Sequence, residues 1–331
     1  MKKIIKLPVS IIGIILLSML LITCQTTPPL PNLDFRQEMR DFVIALSDYA
    51  KDIESDFIII PQNGQELVTD TGEGDGNPNE KYLAAIDATG RESMFYGYDN
   101  DDQPTPDEAR DHLLAICQLC EANNVEVLAT DYCWDHTKMD NSYTYNNVDN
   151  NFISFAADQR ELNNIPDYPN PIYHENANDI TDISLAQNFL YLINSENYTT
   201  KNDFISAVNL TNYDVVLMDL YHNETEYTNN EILSLKTKKD GGSRLVIAYM
   251  SIGEAEDYRY YWNTSWKEGD PIWLDKENPN WKGNYVVRYW EQDWKDIIFG
   301  NNDSYLKKII NAGFDGVYLD IIDGFENFEE E

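Results

Sequence analysis

The sequence predicts a mixed α/β fold, a single (β/α)8 TIM barrel that follows an N-terminal export signal. Apolar, β-branched runs alternate with amphipathic helical segments along the chain, which is typical of parallel strands joined by helical crossovers. Several of these runs end in a carboxylate, and barrel enzymes place their chemistry at the carboxyl ends of the strands. About 300 residues follow the signal, which suits one barrel better than two domains.

Residues 1–23 predict a lipoprotein signal peptide. Three lysines precede the apolar residues 7–22, and a short positive region before an apolar core is typical of export signals. We expect Cys24 to be lipidated and to anchor the exported protein to a bacterial membrane, at the cell surface or in the periplasm. An uncleaved anchor is the alternative, although the apolar stretch is slightly short for a membrane span. Residues 24–33, which contain several Thr and Pro residues, predict an extended tether.

Charge and composition restrict the partners. The formal net charge of -34 at pH 7 repels phosphate, which argues against nucleic acid and other polyanions. A neutral or cationic ligand is compatible with this charge. The 22 tyrosines and 7 tryptophans suit a carbohydrate groove, but they also suit a large core. We expect neither a metal nor an organic cofactor, and we expect a monomer.

Cys117 and Cys120 have the spacing of a redox motif or of half a zinc site. They fall within a predicted helix at residues 107–123, on its apolar face. No second pair of cysteines and no nearby pair of histidines completes a metal site. We therefore expect two thiols packed in the core.

The predicted elements alternate along the chain. Residues 34–54 form the first helix, because apolar side chains recur there at spacings of three and four. The eight predicted strands are residues 57–60, 88–92, 125–132, 152–156, 189–193, 214–219, 244–249 and 316–320. The other predicted helices are residues 82–86, 107–123, 201–208 and 229–238. Residues 164–184 are rich in Pro, Asn and Asp, and this composition predicts a linker.

Acidic residues lie at or just beyond the ends of five predicted strands, namely Glu92, Asp131, Asp219, Glu254 and Asp320. In a closed barrel these strand ends share one mouth, so their side chains would share one cleft. Hydrolysis of a glycosidic bond requires two carboxyl groups, one as acid and one as nucleophile or base. Crowding also separates the pKa values of neighbouring carboxyl groups. The alternative is that some of these acids are merely solvated, because acidic residues are abundant throughout the chain.

Four motifs in the C-terminal part of the chain carry a family resemblance. They are VIAYMSIGEAEDYR at residues 246–259, NPNW at residues 278–281, YW at residues 289–290 and FDGVYLD at residues 314–320. They resemble glycoside hydrolase family 114, the endo-α-1,4-polygalactosaminidase-like barrels. The N-terminal half is similar to the same family in PQNG at residues 61–64, IDATGRE at residues 86–92 and TDY at residues 130–132.

The order of these motifs implies a circular permutation. In the usual order of the family, the N-terminal group of motifs follows the strand that carries Asp320. The resemblance therefore implies that strands 5–8 precede strands 1–4 within a barrel of residues 34–328, with the original termini joined near residues 164–184. A barrel permits this because its first and last strands are neighbours. The helix at residues 34–54 would then follow Asp320, and the two chain ends would meet near Glu331. A truncated gene, the alternative, would have lost the second half of the barrel.

The resemblance also implies roles for individual residues. Asp320 would be the nucleophile or stabilising carboxylate, and Glu92 would be the general acid/base across the same mouth. The candidates for substrate binding are Asp219, Glu254, Tyr249, Asp131, Gln62, Asn63 and Trp290. Acidic subsites would suit a sugar with a free amine, such as galactosamine, and a neutral glycan is the alternative.

The expected function is therefore hydrolysis of an α-linked, galactosamine-containing polysaccharide by a surface-anchored enzyme. A carbohydrate-binding lipoprotein on the same barrel, without catalysis, is the second interpretation, and the presence of Asp320 and Glu92 favours the enzyme. The acidic loops at residues 70–80 and 99–102 raise a calcium-dependent surface protein as a third. These loops lack the full ladder of oxygen ligands of a calcium-binding loop.

Overall fold

The computed structural model describes residue 30 and residues 32–329. The predicted signal peptide and Cys24 lie outside the described residues, as does most of the predicted tether. Within the described part of the chain, no helix is long and apolar enough to cross a membrane.

Strands and helices alternate along the described chain. The strands are β1 Ile58–Pro61, β2 Ala88–Glu92, β3 Glu126–Tyr132, β4 Ile153–Ala157, β5 Phe189–Tyr191, β6 Val215–Asp219, β7 Tyr221–His222, β8 Thr225–Glu226, β9 Leu245–Ser251, β10 Glu254–Glu256, β11 Leu274–Glu277, β12 Asn284–Val287 and β13 Gly316–Asp320. The helices are α1 Phe35–Ile53, α2 Glu80–Ala85, α3 Asp107–Ala122, α4 His136–Tyr143, α5 Lys201–Asn209, α6 Asn229–Leu235, α7 Gln292–Ile298, α8 Tyr305–Ala312 and α9 Glu326–Glu329.

Eight of these strands pair in parallel within two sheets, and each overlaps one of the eight predicted strands. The order is β1-β13-β9-β6-β5 in one sheet and β2-β3-β4 in the other. A parallel bridge between Gln62 and Gly90 connects the end of β1 with β2, and β4 lies in contact with β5. The structure is therefore a mixed α/β fold with parallel sheets, which is compatible with a TIM-like fold.

An antiparallel sheet of three strands, ordered β10-β12-β11, interrupts the alternation between β9 and α7. This sheet and helices α4, α7, α8 and α9 were not among the predicted elements. Helix α6, which was predicted to reach residue 238, ends at Leu235. The reason is that Lys238 turns inward and pairs with Asp214, and both side chains are completely buried.

Helix α1 begins with Asp34, whose side chain accepts a hydrogen bond from Gln37 N at 2.9 Å. The two ends of the described chain meet beside this helix start. Arg36 Nε lies 2.9 Å from Glu329 Oε1, and the ring centroids of Phe35 and Phe328 are 5.6 Å apart. Glu331, which we expected near the same place, lies outside the described residues.

Residues 158–188, between β4 and β5, contain the 3-10 helix Ile183–Leu185 but no α-helix or strand. The segment is fixed to the sheet through the Lys238–Asp214 pair. Lys238 Nζ donates to Asn178 O at 2.9 Å and to Asn176 Oδ1 at 3.1 Å. Asp214 in turn accepts a hydrogen bond from Gln187 N at 2.8 Å.

Cys117 and Cys120 are fully buried on α3 and form no disulfide. Burial raises the pKa of Cys117 to about 12 and raises the pKa of Cys120 as well. The prediction of two packed core thiols is confirmed, because their desolvation removes the thiolate character that reactivity requires.

Candidate active site

A cleft of about 580 Å³ lies at the carboxyl ends of the parallel strands. A larger cleft of about 800 Å³ lies at the opposite ends of the strands, where Phe57 precedes β1 and Asp87 precedes β2. Ligands of parallel α/β folds bind at the carboxyl ends of the strands. The first cleft is therefore the candidate active site, and it also contains the predicted catalytic pair.

Asp320 is the last residue of β13, and two donors hold its carboxylate. Tyr249 OH donates to Oδ2 at 2.5 Å, and Ile321 N donates to Oδ1 at 2.8 Å. Desolvation raises the pKa of Asp320 to about 8, the hydrogen bond from Tyr249 opposes the rise, and the charge of Glu92 adds to it. Asp320 is thus a carboxyl group that can hold a proton at neutral pH.

The backbone after Asp320 is strained. Ile321 has φ of 60°, in the left-handed region, which is costly for a β-branched residue. A Cβ at position 253 would lie only 2.1 Å from the carbonyl oxygen of Ile321, so position 253 accepts only glycine. The sharp turn directs Ile321 N back to the carboxylate of Asp320 and fixes its orientation.

Glu92 ends β2 and is held by donors from two other strand ends. Asn63 Nδ2 donates to Glu92 Oε2 at 3.0 Å, while Asn63 Oδ1 accepts from Glu92 N at 3.2 Å. Tyr132 OH donates to Glu92 Oε1. The guanidinium carbon of Arg160 lies 3.9 Å from the centroid of the Tyr132 ring. These contacts orient Glu92 without pairing it with a positive charge.

The floor of the cleft is formed by polar side chains from neighbouring strands. Tyr191 OH donates to Gln62 Oε1 at 2.9 Å, and both residues are buried. Below them lies Tyr318, which is completely buried and whose hydroxyl has no hydrogen-bond partner within the described residues. A Cβ at Gly90 would lie only 1.9 Å from that hydroxyl, so Tyr318 packs directly against β2.

Asp219 lies in the cleft, but its charge is compensated. Arg259 Nη1 lies 2.7 Å from Asp219 Oδ2, and Arg259 Nε lies 2.5 Å from Glu256 Oε2. Burial raises the pKa of Asp219, and the positive charge of Arg259 opposes this. One buried guanidinium therefore pairs with two carboxylates.

Glu254 also lines the cleft, although it is only 2% exposed. Asn278 Nδ2 donates to its Oε1 at 2.7 Å, and Asn284 Nδ2 donates to its Oε2 at 3.2 Å. Burial raises the pKa of Glu254, whereas the two amides oppose the rise. Both carboxylate oxygens are thus already engaged by the protein.

The structure brings together seven of the nine predicted catalytic and substrate-binding residues. The residues that line the cleft are Asp320, Glu92, Asp219, Glu254, Tyr249, Gln62 and Asn63. The two residues that lie elsewhere are Asp131 and Trp290.

Asp131 is completely buried on the far side of β3. Its carboxylate accepts hydrogen bonds from Phe95 N and Tyr96 N, at 2.8 and 3.1 Å, and from Ser142 Oγ at 2.6 Å. Successive side chains of a strand point to opposite faces. Because Tyr132 points into the cleft, Asp131 must point away from it, and its expected role in substrate binding is corrected to a structural one.

Trp290 packs at the meeting point of the two chain ends. Its ring centroid lies 5.1 Å from that of Phe35 and 4.7 Å from that of Phe328. The expectation that Trp290 lies in a subsite is therefore corrected: it packs against α1 and the C-terminal residues.

Several cleft residues were missed by the sequence analysis. They are Tyr132, Arg160, Tyr191, Glu256, Tyr258, Arg259, Trp281, Lys282, Asn284 and Asp323, among others. Strand alternation from Glu92 and Asp131 would have found Tyr132, and Trp281 belongs to the NPNW motif. Asp323 follows Asp320 by three residues, and burial together with the charge of Glu326 raises its pKa to about 7. Nothing in the sequence distinguishes Arg160 from other surface arginines.

Among the described residues, no group of three or more His, Cys, Asp or Glu side chains is arranged to hold a metal ion. In each of the two acidic loops considered for calcium, one carboxylate is held by neighbouring side chains of the protein. Asp70 accepts hydrogen bonds from Asn77, and Asp102 pairs with Lys138 at 2.6 Å.

The chain is similar in part to known proteins. The model of glycoside-hydrolase family GH114 matches residues 174–331. An uncharacterized protein of Methanocaldococcus jannaschii, MJ1477, is 43% identical over 158 residues, which cover 47% of this chain and 43% of that protein. An uncharacterized protein of Thermotoga maritima is 38% identical over 134 residues, 40% of each chain. One of Deinococcus radiodurans is 36% identical over 126 residues, 38% of each chain. The chain thus spans less than half the length of each of these relatives.

Proposed function

Because residues 174–331 belong to glycoside-hydrolase family GH114, we propose that the protein is a glycoside hydrolase that cuts an α-linked polysaccharide with the carboxyl groups of Asp320 and Glu92. Membership of this family supports glycosidase activity in general. One observation carries the assignment of the pair: the two residues end different strands, line one cleft and are each held by a tyrosine hydroxyl and a second donor.

In the proposed mechanism, Glu92 is the general acid/base and Asp320 is the nucleophile or stabilising carboxylate. Glu92 protonates the leaving oxygen as the glycosidic bond breaks, and it then takes a proton from the water that replaces this oxygen. Ionised Asp320 faces the positive charge that develops on the sugar ring. Tyr249 OH and Ile321 N stabilise that ionised form. The cationic transition state lowers the pKa of Asp320 from its raised resting value, because an opposite charge favours the ionised carboxylate.

We further propose a substrate that contains amino sugars with a free amine. The acids that line the cleft are Glu92, Asp219, Glu254, Glu256, Asp320 and Asp323, and the bases are Arg160, Arg259 and Lys282. The excess of acids favours a cationic ligand. An α-1,4-linked galactosamine polymer fits both this charge and the resemblance to the family, and a neutral α-linked glycan is the competing substrate.

Hydrolysis assays on three polymers test these assignments: partially deacetylated α-1,4-galactosaminoglycan, its fully N-acetylated form and a neutral α-1,4-glucan. We expect Asp320→Asn and Glu92→Gln to lower kcat by about 10²- to 10⁴-fold, the usual range for loss of acid/base catalysis. Asp48→Asn, which changes an exposed carboxylate of α1, is the matched control. Unchanged hydrolysis by Asp320→Asn would refute the assignment. Binding of a polymer without hydrolysis by the wild type would instead favour the carbohydrate-binding lipoprotein.

We also propose that the fold is a closed, circularly permuted barrel. Three observations support this proposal: the contact between the ends of the described chain, the irregular segment 158–188, and the family match over residues 174–331. A chain that begins at residue 185, runs to residue 329 and continues through a short linker into residues 34–163 tests it. We expect this rearranged chain to fold cooperatively and to hydrolyse the same polymer. A rearranged chain that stays unfolded would contradict the permutation.

Export and anchoring at Cys24 complete the proposal, and they rest on the sequence of residues 1–24. Mass spectrometry of the N-terminal peptide from a bacterial host is expected to show an acylated Cys24 as its first residue. Cys24→Ala is expected to abolish acylation. An intact residue 1 on the protein recovered from the membrane would refute cleavage.

A further inference from the structure

The loop of residues 278–283, between β11 and β12, presents Trp281 at the candidate active site. The Trp281 side chain is 61% exposed, and it lines the same cleft as Asp320 and Glu92. An exposed tryptophan on a mobile surface loop would be unremarkable. A tryptophan on a loop with a fixed backbone is better suited to bind a ligand.

The loop is closed by its own backbone. Asn278 N donates to Asn284 O at 2.7 Å, Asn284 N donates to Trp281 O at 3.1 Å, and Trp281 N donates to Asn278 O at 3.3 Å. Gly283, with φ of 90°, makes the return turn. Its carbonyl accepts a hydrogen bond from Asp257 N at 2.8 Å, which ties the loop to the chain just beyond β10.

Glu254 fastens both ends of this loop from inside the protein. Its Oε1 accepts from Asn278 Nδ2, and its Oε2 accepts from Asn284 Nδ2. A carboxylate that is only 2% exposed is costly to bury unless both oxygens are satisfied. Here the loop supplies both donors, so the burial of Glu254 and the conformation of the loop depend on each other.

A second aromatic side chain extends the same wall. Tyr258 is 59% exposed and lines the cleft. Its hydroxyl donates to Glu256 Oε1 at 2.5 Å, so its ring is fixed as well. Two exposed aromatic side chains, one on a loop whose backbone is fixed and one held by its hydroxyl, thus lie beside the two candidate catalytic carboxyl groups and form a surface for a flat, partly apolar ligand.

We propose that Trp281 is a stacking platform for a pyranose unit of the substrate, and that Glu254 is the positioning residue that holds this platform. The apolar face of a sugar ring would lie on the indole, where an amine on the same sugar would gain a cation–π contact. The proposal rests on the proposed glycosidase function. It gives Glu254 a different role from direct contact with the substrate, because both of its oxygens are already engaged.

Binding experiments with the Asp320→Asn protein test the platform independently of catalysis. The probes are soluble oligosaccharides of α-1,4-linked galactosamine and of α-1,4-linked glucose, titrated by calorimetry. We expect Trp281→Ala to raise Kd about tenfold or more, as truncation of an aromatic anchor does, and we expect Trp281→Tyr to recover most of the affinity. Trp134→Ala is the matched control, since Trp134 is 54% exposed and lies outside the cleft.

Glu254 is tested with the catalytic protein. In Glu254→Gln, the new side-chain amide places its own donor against one of the two loop amides. Asn278→Ala removes one of the two donors to Glu254. Both variants are expected to raise KM while kcat stays close to that of the wild type. Both are also expected to increase the quenching of Trp281 fluorescence by acrylamide, measured against Trp281→Tyr.

Two results would overturn the proposal. One is that the Asp320→Asn protein binds the oligosaccharides with the same affinity whether residue 281 is Trp or Ala, including the case in which neither protein binds. The other is a loss of affinity in Trp134→Ala as large as that in Trp281→Ala. Failure of the proposed function would look different, because the wild type would then bind the oligosaccharides without cutting them.

Discussion

Replacing Asp320 with asparagine is expected to stabilise the folded protein at neutral and alkaline pH, although the same change is expected to lower kcat strongly. Desolvation raises the pKa of Asp320 to about 8 in the folded state, whereas an aspartate in an unfolded chain has a pKa of about 3.9. The folded state therefore binds the proton more tightly. The contribution of Asp320 to stability is greatest below about pH 4 and is lost as pH rises through about 8.

The magnitude follows from the difference between these two pKa values. About four pKa units at 1.36 kcal/mol each correspond to roughly 5 kcal/mol above pH 8, and to roughly 4 kcal/mol at pH 7. Asparagine avoids this penalty but offers only one oxygen to Tyr249 OH and Ile321 N. The lost hydrogen bond costs about 1 to 3 kcal/mol. The expected net gain in the free energy of unfolding is thus about 2 kcal/mol at pH 7 and more at pH 9. At pH 4 little of the penalty remains, so the lost hydrogen bond is expected to give a net loss.

Urea unfolding at pH 4, 7 and 9, followed by tryptophan fluorescence, measures this gain. The wild type, Asp320→Asn and the exposed control Asp48→Asn are compared at each pH. Relative to the wild type at the same pH, only Asp320→Asn is expected to become more stable as pH rises. A gain that is equal at all three pH values, or no gain at pH 9, would show that desolvation does not hold the proton on Asp320.

Two further changes test the packing of the fold, one at the amino end of β6 and one beneath the cleft. Lys238→Met is expected to lower the free energy of unfolding by about 3 to 5 kcal/mol, because it leaves Asp214 buried without its partner. The double variant Lys238→Met with Asp214→Leu is expected to recover most of this loss. Urea unfolding of both variants measures the difference, and equal losses in the two would contradict the reasoning. Gly90→Ala places a Cβ 1.9 Å from the Tyr318 hydroxyl and is expected to cost about 1 to 3 kcal/mol, but much less in a Tyr318→Leu background. Additive losses in that double-mutant cycle would refute the contact.

The parallel strands could be predicted because a strand that is buried on both faces has an almost unbroken apolar sequence. The run at residues 215–219 is an example, and all but its last residue are buried. Helix α8 also carries a helical signal, since Leu306, Ile309 and Ile310 are buried at spacings of three and four and Gly313 ends the helix with φ of 87°. Helix α8 could therefore have been predicted from the sequence as well.

The antiparallel sheet β10-β12-β11 could not be found in the same way. Its strands are three or four residues long, and β11 pairs through a register shift. Such short strands have no reliable alternation of their own. Their pairing depends on contacts distant in sequence, such as the hydrogen bond from Asp257 N to Gly283 O.

At the site, sequence could indicate which residue types end the strands but not which way each side chain points. Asp131 and Tyr132 are neighbours, and only Tyr132 reaches the cleft. The two tryptophans of the resemblance show the same limit, because Trp290 packs against Phe35 whereas Trp281 is exposed. The residues that flank Trp281 in its loop, Asn278 and Asn284, both donate to the carboxylate of Glu254, which lies far from them in sequence.

The acids that line the cleft differ in how their charges are used, and this difference narrows the choice of catalytic residues. Asp219 and Glu256 share the guanidinium of Arg259, and Glu254 is occupied by two loop amides. A carboxylate that is paired with a cation, or that is almost fully buried as Glu254 is, is a poor nucleophile and a poor base. Asp320 and Glu92 are instead partly exposed in the cleft, and they accept hydrogen bonds from neutral donors, which orient them without a cationic partner. The surrounding chain therefore supports the same pair that the resemblance implies, for a reason that is independent of the resemblance.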